Sequence, residues 1–141
     1  MGMKVNLDTN IFIAVKNKES NFEYSKQILD RIEDKTLNAV ISTVVFMEVL
    51  VGFYQNNEKD EANSFSNKIL LNYDLLTVDP EIAIEAAKIR AKFGIKLPDA
   101  IIAASTLLSE CDYFITNDKP LLKKLDIQKI TPKKFVEKFL N

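Results

Sequence analysis

Lys4-Val5-Asn6-Leu7-Asp8-Thr9-Asn10-Ile11-Phe12-Ile13-Ala14-Val15 is the stretch that decides the fold. Lys4–Leu7 reads as an extended run, Asp8-Thr9-Asn10 as a turn, and Ile11–Val15 as a short apolar helix. A strand that turns directly into a helix is the first half of a crossover unit, and the pattern recurs down the chain. Tyr24, Ile28, Leu29 and Ile32 are spaced for one face of a second helix. Ala39-Val40-Ile41 is a buried-strand candidate, and Ser42 or Thr43 can cap the helix that runs on through Tyr54. Gln55–Asn63 reads as the tip of a helical hairpin returning through Phe65, Ile69 and Leu70. Leu75–Val78 is the next strand, Asp79-Pro80 a helix start, and Gly94 a helix end. Leu97 precedes proline and is expected to be extended, with Pro98 opening an Ala/Ile-rich helix to about Cys111. Tyr113–Thr116 is a strand, Asp118 caps a short helix, Ile127–Ile130 is an edge strand, and Pro132 opens a terminal helix. Strands separated by helices pair in parallel through right-handed crossovers. The expected fold class is α/β: a single three-layer α/β/α domain over residues 1–141, built on a central parallel sheet.

Composition narrows the chemistry. The chain has 141 residues, 47% of them apolar and 28% charged, the balance of a globular protein with its own core. It has no histidine and a single cysteine, Cys111. Ser-His-Asp and Cys-His catalysis, His-ligated zinc and an intrachain disulfide are therefore excluded. No stretch is long and apolar enough to span a membrane, and the start carries no signal-peptide or myristoylation pattern, so a cytoplasmic location is expected. Net charge is −1, but it is unevenly spread. Residues 119–141 hold seven lysines against Asp126 and Glu137, a net of +5, and leave the preceding body at −6. Such an end is a solvated helix face or a surface that contacts phosphates.

Four carboxylates stand out by position. In open parallel sheets, functional groups collect beyond the carboxyl ends of the strands. Asp8 and Asp118 follow two strands there, and Asp99 lies in the first turn of a helix. Glu48 is the only charge in Val44–Val51, which reads as a helix buried on most sides. Helix capping explains Asp8 and Asp118 on structural grounds alone, and Asp99 complements a helix dipole. A buried Glu48 needs a proton, a lysine, a metal or a route to solvent; the alternative is a narrow exposed stripe on that helix. Carboxylates ~5 Å apart repel by about 3 kcal/mol at an effective dielectric near 20. A shared divalent cation relieves that repulsion, and an all-oxygen set suits Mg²⁺ or Mn²⁺ rather than zinc.

At these residues the chain resembles the PIN-domain family of ribonucleases, especially the short toxins of the VapC type. The motifs are Val5-Asn6-Leu7-Asp8-Thr9-Asn10, Ser42-Thr43-Val44-Val45-Phe46-Met47-Glu48, Leu97-Pro98-Asp99-Ala100-Ile101-Ile102-Ala103-Ala104 and Ile115-Thr116-Asn117-Asp118. They occur in the family's order from residue 5 to residue 118. The resemblance implies a Mg²⁺- or Mn²⁺-dependent endoribonuclease, with Asp8 and Asp99 as main metal ligands and Glu48 and Asp118 completing the site. Thr9, Asn10, Thr116 and Asn117 would orient these acids as outer partners, although turn chemistry explains them equally. Where the family often has an aromatic three residues after the fourth acid, this chain has Leu121. Homodimers and a small cognate antitoxin protein are implied as well.

Two alternatives within the resemblance are a housekeeping RNA-processing nuclease and a non-catalytic scaffold that binds RNA or protein. Phosphatase chemistry with Asp8 as nucleophile would want a second aspartate two residues on, where this chain has Asn10.

Overall fold

The computed structural model describes residues 2–140. Its centre is a five-stranded parallel sheet in the order β3-β2-β1-β4-β5. The strands are β1 (Lys4–Leu7), β2 (Asn38–Ser42), β3 (Asp74–Leu76), β4 (Tyr113–Ile115) and β5 (Lys129–Ile130). Helices α1 (Thr9–Lys16) and α2 (Phe22–Glu33) join β1 to β2, and α3 (Thr43–Gln55) and α4 (Lys59–Asn72) join β2 to β3. The chain then recrosses the sheet through α5 (Pro80–Phe93) and α6 (Leu97–Leu108) to reach β4. Helix α7 (Lys119–Lys124) leads to β5, and α8 (Pro132–Phe135) continues into a wider π-type turn, Val136–Leu140.

This connectivity sets where chemistry can gather. From β1 the chain moves outward to β2 and β3, then returns to β4 on the other side of β1. Right-handed crossovers in opposite directions place their helices on opposite faces of the sheet, which makes the three layers. Between β1 and β4 the strand order reverses, leaving a crevice at their carboxyl ends. Leu7 pairs with Ile115, and the Asp8 N–H donates to the Ile115 carbonyl at 3.0 Å. The residues just past both strands are thereby neighbours.

The turns at that edge are built by short polar side chains. Asp8 Oδ1 accepts from Thr9 N–H at 2.8 Å, Ser42 Oγ from Val44 N–H at 3.1 Å, and Asp118 Oδ1 from Leu121 N–H at 3.1 Å. Asp79 caps α5 through Ile82 N–H at 2.8 Å, and Gly94 ends that helix at φ 67°, a left-handed conformation that glycine adopts freely. Beneath the edge, Val5, Leu7, Ile41, Phe114 and Ile115 are fully buried sheet residues.

Local details depart from the expected boundaries. The hairpin between α3 and α4 turns within residues 56–58, because α4 already starts at Lys59. Leu70 on its return helix is 65% exposed. Strand β3 ends at Leu76, two residues early. Leu97 is helical: it occupies the first turn of α6 together with Pro98, and Lys96 is the extended residue before them. The same helix stops at Leu108, where Ser109 closes it and Glu110 turns the chain at φ 56°. The edge strand is limited to Lys129–Ile130.

Candidate functional site

Asp8 is the buried centre of the crevice, only 4% exposed. Its Oδ2 accepts from Thr116 Oγ1–H at 2.7 Å and from Asn10 Nδ2–H at 3.1 Å. Thr116 Oγ1 in turn accepts from Asn10 Nδ2 and from the Asp118 N–H, both at 3.0 Å. Asn10 Oδ1 accepts the Asn117 N–H at 2.9 Å. Asn10 and Thr116 therefore lock the turn after β1 to the turn after β4. Asn117 joins through its backbone, with its side chain exposed.

The other acids surround this centre. Asp99, half-buried in the first turn of α6, is close enough to raise the Asp8 pKa, and so is Glu48. Asp118 and Glu48 both act on Asp99. Glu48 Oε1 is held at 2.5 Å by the Thr9 hydroxyl, which ties α3 to the start of α1. All four candidate acids thus face one crevice, supplied by β1, α3, α6 and the turn after β4.

Glu48 is exposed, which fits the alternative of an exposed stripe and not the expectation of a helix buried on most sides. Helix α3 buries only Val45 and Val49, while Met47, Val51 and Tyr54 are 55%, 50% and 53% exposed. Apolar composition alone does not distinguish a helix covered by its own domain from one with an uncovered apolar face. Glu48 reaches the crevice from a solvent-accessible rim, so burial imposes no need for a partner.

Electrostatics make the crevice costly as it stands. Burial raises the Asp8 pKa to about 6; hydrogen bonds from Thr116 and Thr9 oppose the rise, and Asp99 and Glu48 add to it. Asp99 is also raised, first by burial, then by Asp118 and Glu48, with Lys96 pulling the other way. Among the described residues, none of the ion pairs involves any of the four acids. The chemistry of the donors fits a hard divalent cation, since all are carboxylate oxygens beside hydroxyl and amide oxygens. The set is open rather than closed: among the described residues, no three acids are gathered tightly enough to enclose an ion by themselves. That suits Mg²⁺, which takes one or two carboxylates and completes its shell with water and phosphate oxygens.

The lysine-rich end divides by position. Lys119 follows Asp118, and Lys133 and Lys134 follow Thr131 at the carboxyl end of β5, all three exposed at the edge that carries the acids. Lys129 is half-buried and donates to the Leu125 carbonyl, so it serves the fold. A shallow groove of about 580 Å³, lined by Tyr113, Lys129, Lys134 and Lys138, extends to the amino end of β4.

One polar group near the site, Asn6, went without a role in the sequence reading. It is fully buried on β1, and its side chain bonds to α6. The available signal was a polar residue between Val5 and Leu7, two positions from Asp8 and hence on the same side of the strand.

Comparison with known proteins places these features. The model of the PIN domain family matches residues 5–127. A toxin-antitoxin complex from Klebsiella pneumoniae contains a chain with a TM-score of 0.71 and 25% identity, over 91% of this chain and 97% of that one. VapBC2 from Rickettsia felis, solved with a DNA fragment from its promoter, gives a TM-score of 0.73 over 92% and 98% of the two chains. Its identity is 18%, a likeness of fold alone. An uncharacterized protein of Archaeoglobus fulgidus is 40% identical over 63 residues, 45% of this chain and 98% of its own length.

Proposed function

This chain belongs to the PIN domain family, and from that premise we propose that it is an endoribonuclease that hydrolyses RNA phosphodiester bonds with Mg²⁺ or Mn²⁺. The observation that carries the proposal is the Asp8 carboxylate. It is buried, bordered by further acids and, among the described residues, faced by no cation, at the point where the strand order reverses. Asp8 and Asp99 are the residues assigned to hold the ion, with Glu48 and Asp118 completing the site directly or through water. A divalent cation held there would polarise a phosphate oxygen and lower the pKa of bound water, so that no histidine is needed as general base.

The protein's own part is to hold these oxygens in place. Thr116 and Asn10 keep Oδ2 of Asp8 fixed, and Thr9 fixes one oxygen of Glu48. Asn117 contributes through its backbone, where a side-chain role was expected. Asp118 uses Oδ1 to cap α7 and keeps Oδ2 for the site. An acidic crevice repels RNA, so phosphate binding is assigned to Lys119, Lys133 and Lys134 at the same edge. Replacing Lys133 and Lys134 together with glutamate is expected to raise KM several-fold, leave kcat unchanged and shorten the salt dependence of binding. Titrations of RNA at several salt concentrations check this.

Residues 1–141 act in this proposal as one nuclease unit in the cytoplasm, as the toxin of a toxin–antitoxin pair. The likeness to the Klebsiella pneumoniae complex supports the toxin role. Surfaces that support association are the exposed Met47, Val51 and Tyr54 on α3, for a second copy of the chain. An apolar groove of about 460 Å³ lined by Phe12, Val49, Phe53 and Phe65 supports an antitoxin segment. The test is twofold. Purified protein should cut a broad RNA pool only with Mg²⁺ or Mn²⁺, and its expression should arrest growth unless an adjacent small gene is co-expressed. A host indifferent to expression argues against the toxin, and equal cutting in chelator argues against the metal site.

A further inference from the structure

We infer that Asn6 is a positioning residue for the acidic site: its buried amide fixes how far along β1 helix α6 docks, and so where Asp99 stands against Asp8. The inference rests on the nuclease reading of that site and concerns a residue outside the quartet and its partners. Asn6 Nδ2 donates to Thr106 Oγ1 at 3.0 Å and to the Ile102 carbonyl at 3.3 Å. The Thr106 hydroxyl itself donates to the Ile102 carbonyl at 3.0 Å. Both partners therefore present only lone pairs to Asn6, which fixes the amide with its nitrogen toward α6.

The spacing links this clamp to the chemistry. Asp8, extended just past the end of β1, lies two residues beyond Asn6, about 6.6 Å, and projects to the same side. Asp99, Ile102 and Thr106 form one stripe along α6, with Asp99 about 4.5 Å from Ile102 and about 10.5 Å from Thr106 along the axis. The helix runs antiparallel to β1, so gripping Ile102 and Thr106 at the level of Asn6 brings Asp99 to the level of Asp8.

Apolar packing would not choose that level as sharply. The face of α6 against the sheet is rich in small side chains, with Ala100, Ala103 and Ala104 fully buried. Ile102 is the one large side chain buried among them. A face with a single large knob resists sliding less than an interdigitated one, whereas two directed hydrogen bonds define one depth. The amide also carries a disadvantage that a purely structural residue would avoid. Among the described residues, Asn6 Oδ1 is buried with no hydrogen-bond partner, a defect that leucine of similar size would not have.

The experiment compares wild type with Asn6→Leu and Thr106→Val by calorimetric titration with Mn²⁺, by RNA-cleavage kinetics and by melting in EDTA. The expected result is a melting temperature equal to or above wild type for Asn6→Leu, Mn²⁺ affinity about tenfold weaker, and kcat lowered with KM unchanged. Thr106→Val, which removes the clamp from the helix side, should reproduce the loss, and the double variant should add little to it. Mn²⁺ affinity and kcat at wild-type values in a folded Asn6→Leu overturn the inference. If that variant does not fold, wild-type behaviour of Thr106→Val overturns it equally. A wild type that binds Mn²⁺ without cutting RNA defeats the nuclease reading, and the Mn²⁺ titrations still decide the role of Asn6. A wild type that binds no Mn²⁺ defeats both.

Discussion

Asp99→Asn is expected to reduce Mn²⁺-dependent RNA cleavage by about three orders of magnitude or more, with little change in thermal stability in chelator. Asp99 is half-buried and its surroundings are repulsive: burial, Asp118 and Glu48 all raise its pKa. Among the described residues, no hydrogen bond stabilises its charged form. Its oxygens therefore contribute little to the fold and are available to a ligand. Asparagine keeps the shape and removes the charge; the helix dipole loses a complement worth roughly 0.5 kcal/mol, and relief of the repulsion from Asp118 and Glu48 offsets it. Activity and stability should consequently separate. Single-turnover cleavage at saturating Mn²⁺, with melting curves in EDTA on the same preparations, measures both. Loss of fold in parallel with loss of activity would count against the assignment.

The metal-free protein should lose stability as pH rises from about 4 to 6 and regain it at neutral pH when Mn²⁺ is added. Asp8 titrates at 3.8 in an unfolded chain and at about 6 in the fold. Between those values the native state holds more protons, so stability is greatest below the lower value and is lost as pH passes the upper one. The shift corresponds to at most about 3 kcal/mol. Asp99, raised in the same direction, adds to the loss. Asp34 is lowered by its bonds to Thr36, so its opposite contribution lies below this window. Mn²⁺ at 100 times its dissociation constant offsets the loss by about 2.7 kcal/mol, which raises Tm by about 5–10 °C. Asp8→Asn should flatten the pH profile and abolish the Mn²⁺ effect together. A profile that stays steep in that variant would place the titration elsewhere.

The frame was legible because its signals are local. Strand runs, the caps Asp8, Ser42, Asp79 and Asp118, and Gly94 each act within a few residues, and each ends or starts the element it announced. The grouping of the four acids followed from topology, since parallel strands deliver their following turns to one edge. What stayed hidden depends on packing between distant segments. Glu48 looked buried because α3 is apolar on several sides, yet only Val45 and Val49 are fully buried, and Glu48 lies on the exposed side. Lys129 looked like part of a phosphate-binding end, but it reaches back to the Leu125 carbonyl. Asn6 meets Thr106 across 100 residues of chain, a contact no short-range pattern encodes.

The central claim is that the carboxylates around Asp8 hydrolyse RNA with a divalent cation and water, without histidine. End analysis of cellular RNA cut by the purified protein tests it most directly, because the nucleophile leaves its signature on the new termini. Water attacking phosphorus leaves a linear phosphate, whereas the neighbouring 2′-hydroxyl leaves a 2′,3′-cyclic phosphate. Discrete cuts with linear phosphate ends are expected in Mn²⁺, absent in EDTA and absent with Asp99→Asn. Cyclic phosphate ends that persist in EDTA and in Asp99→Asn would contradict it.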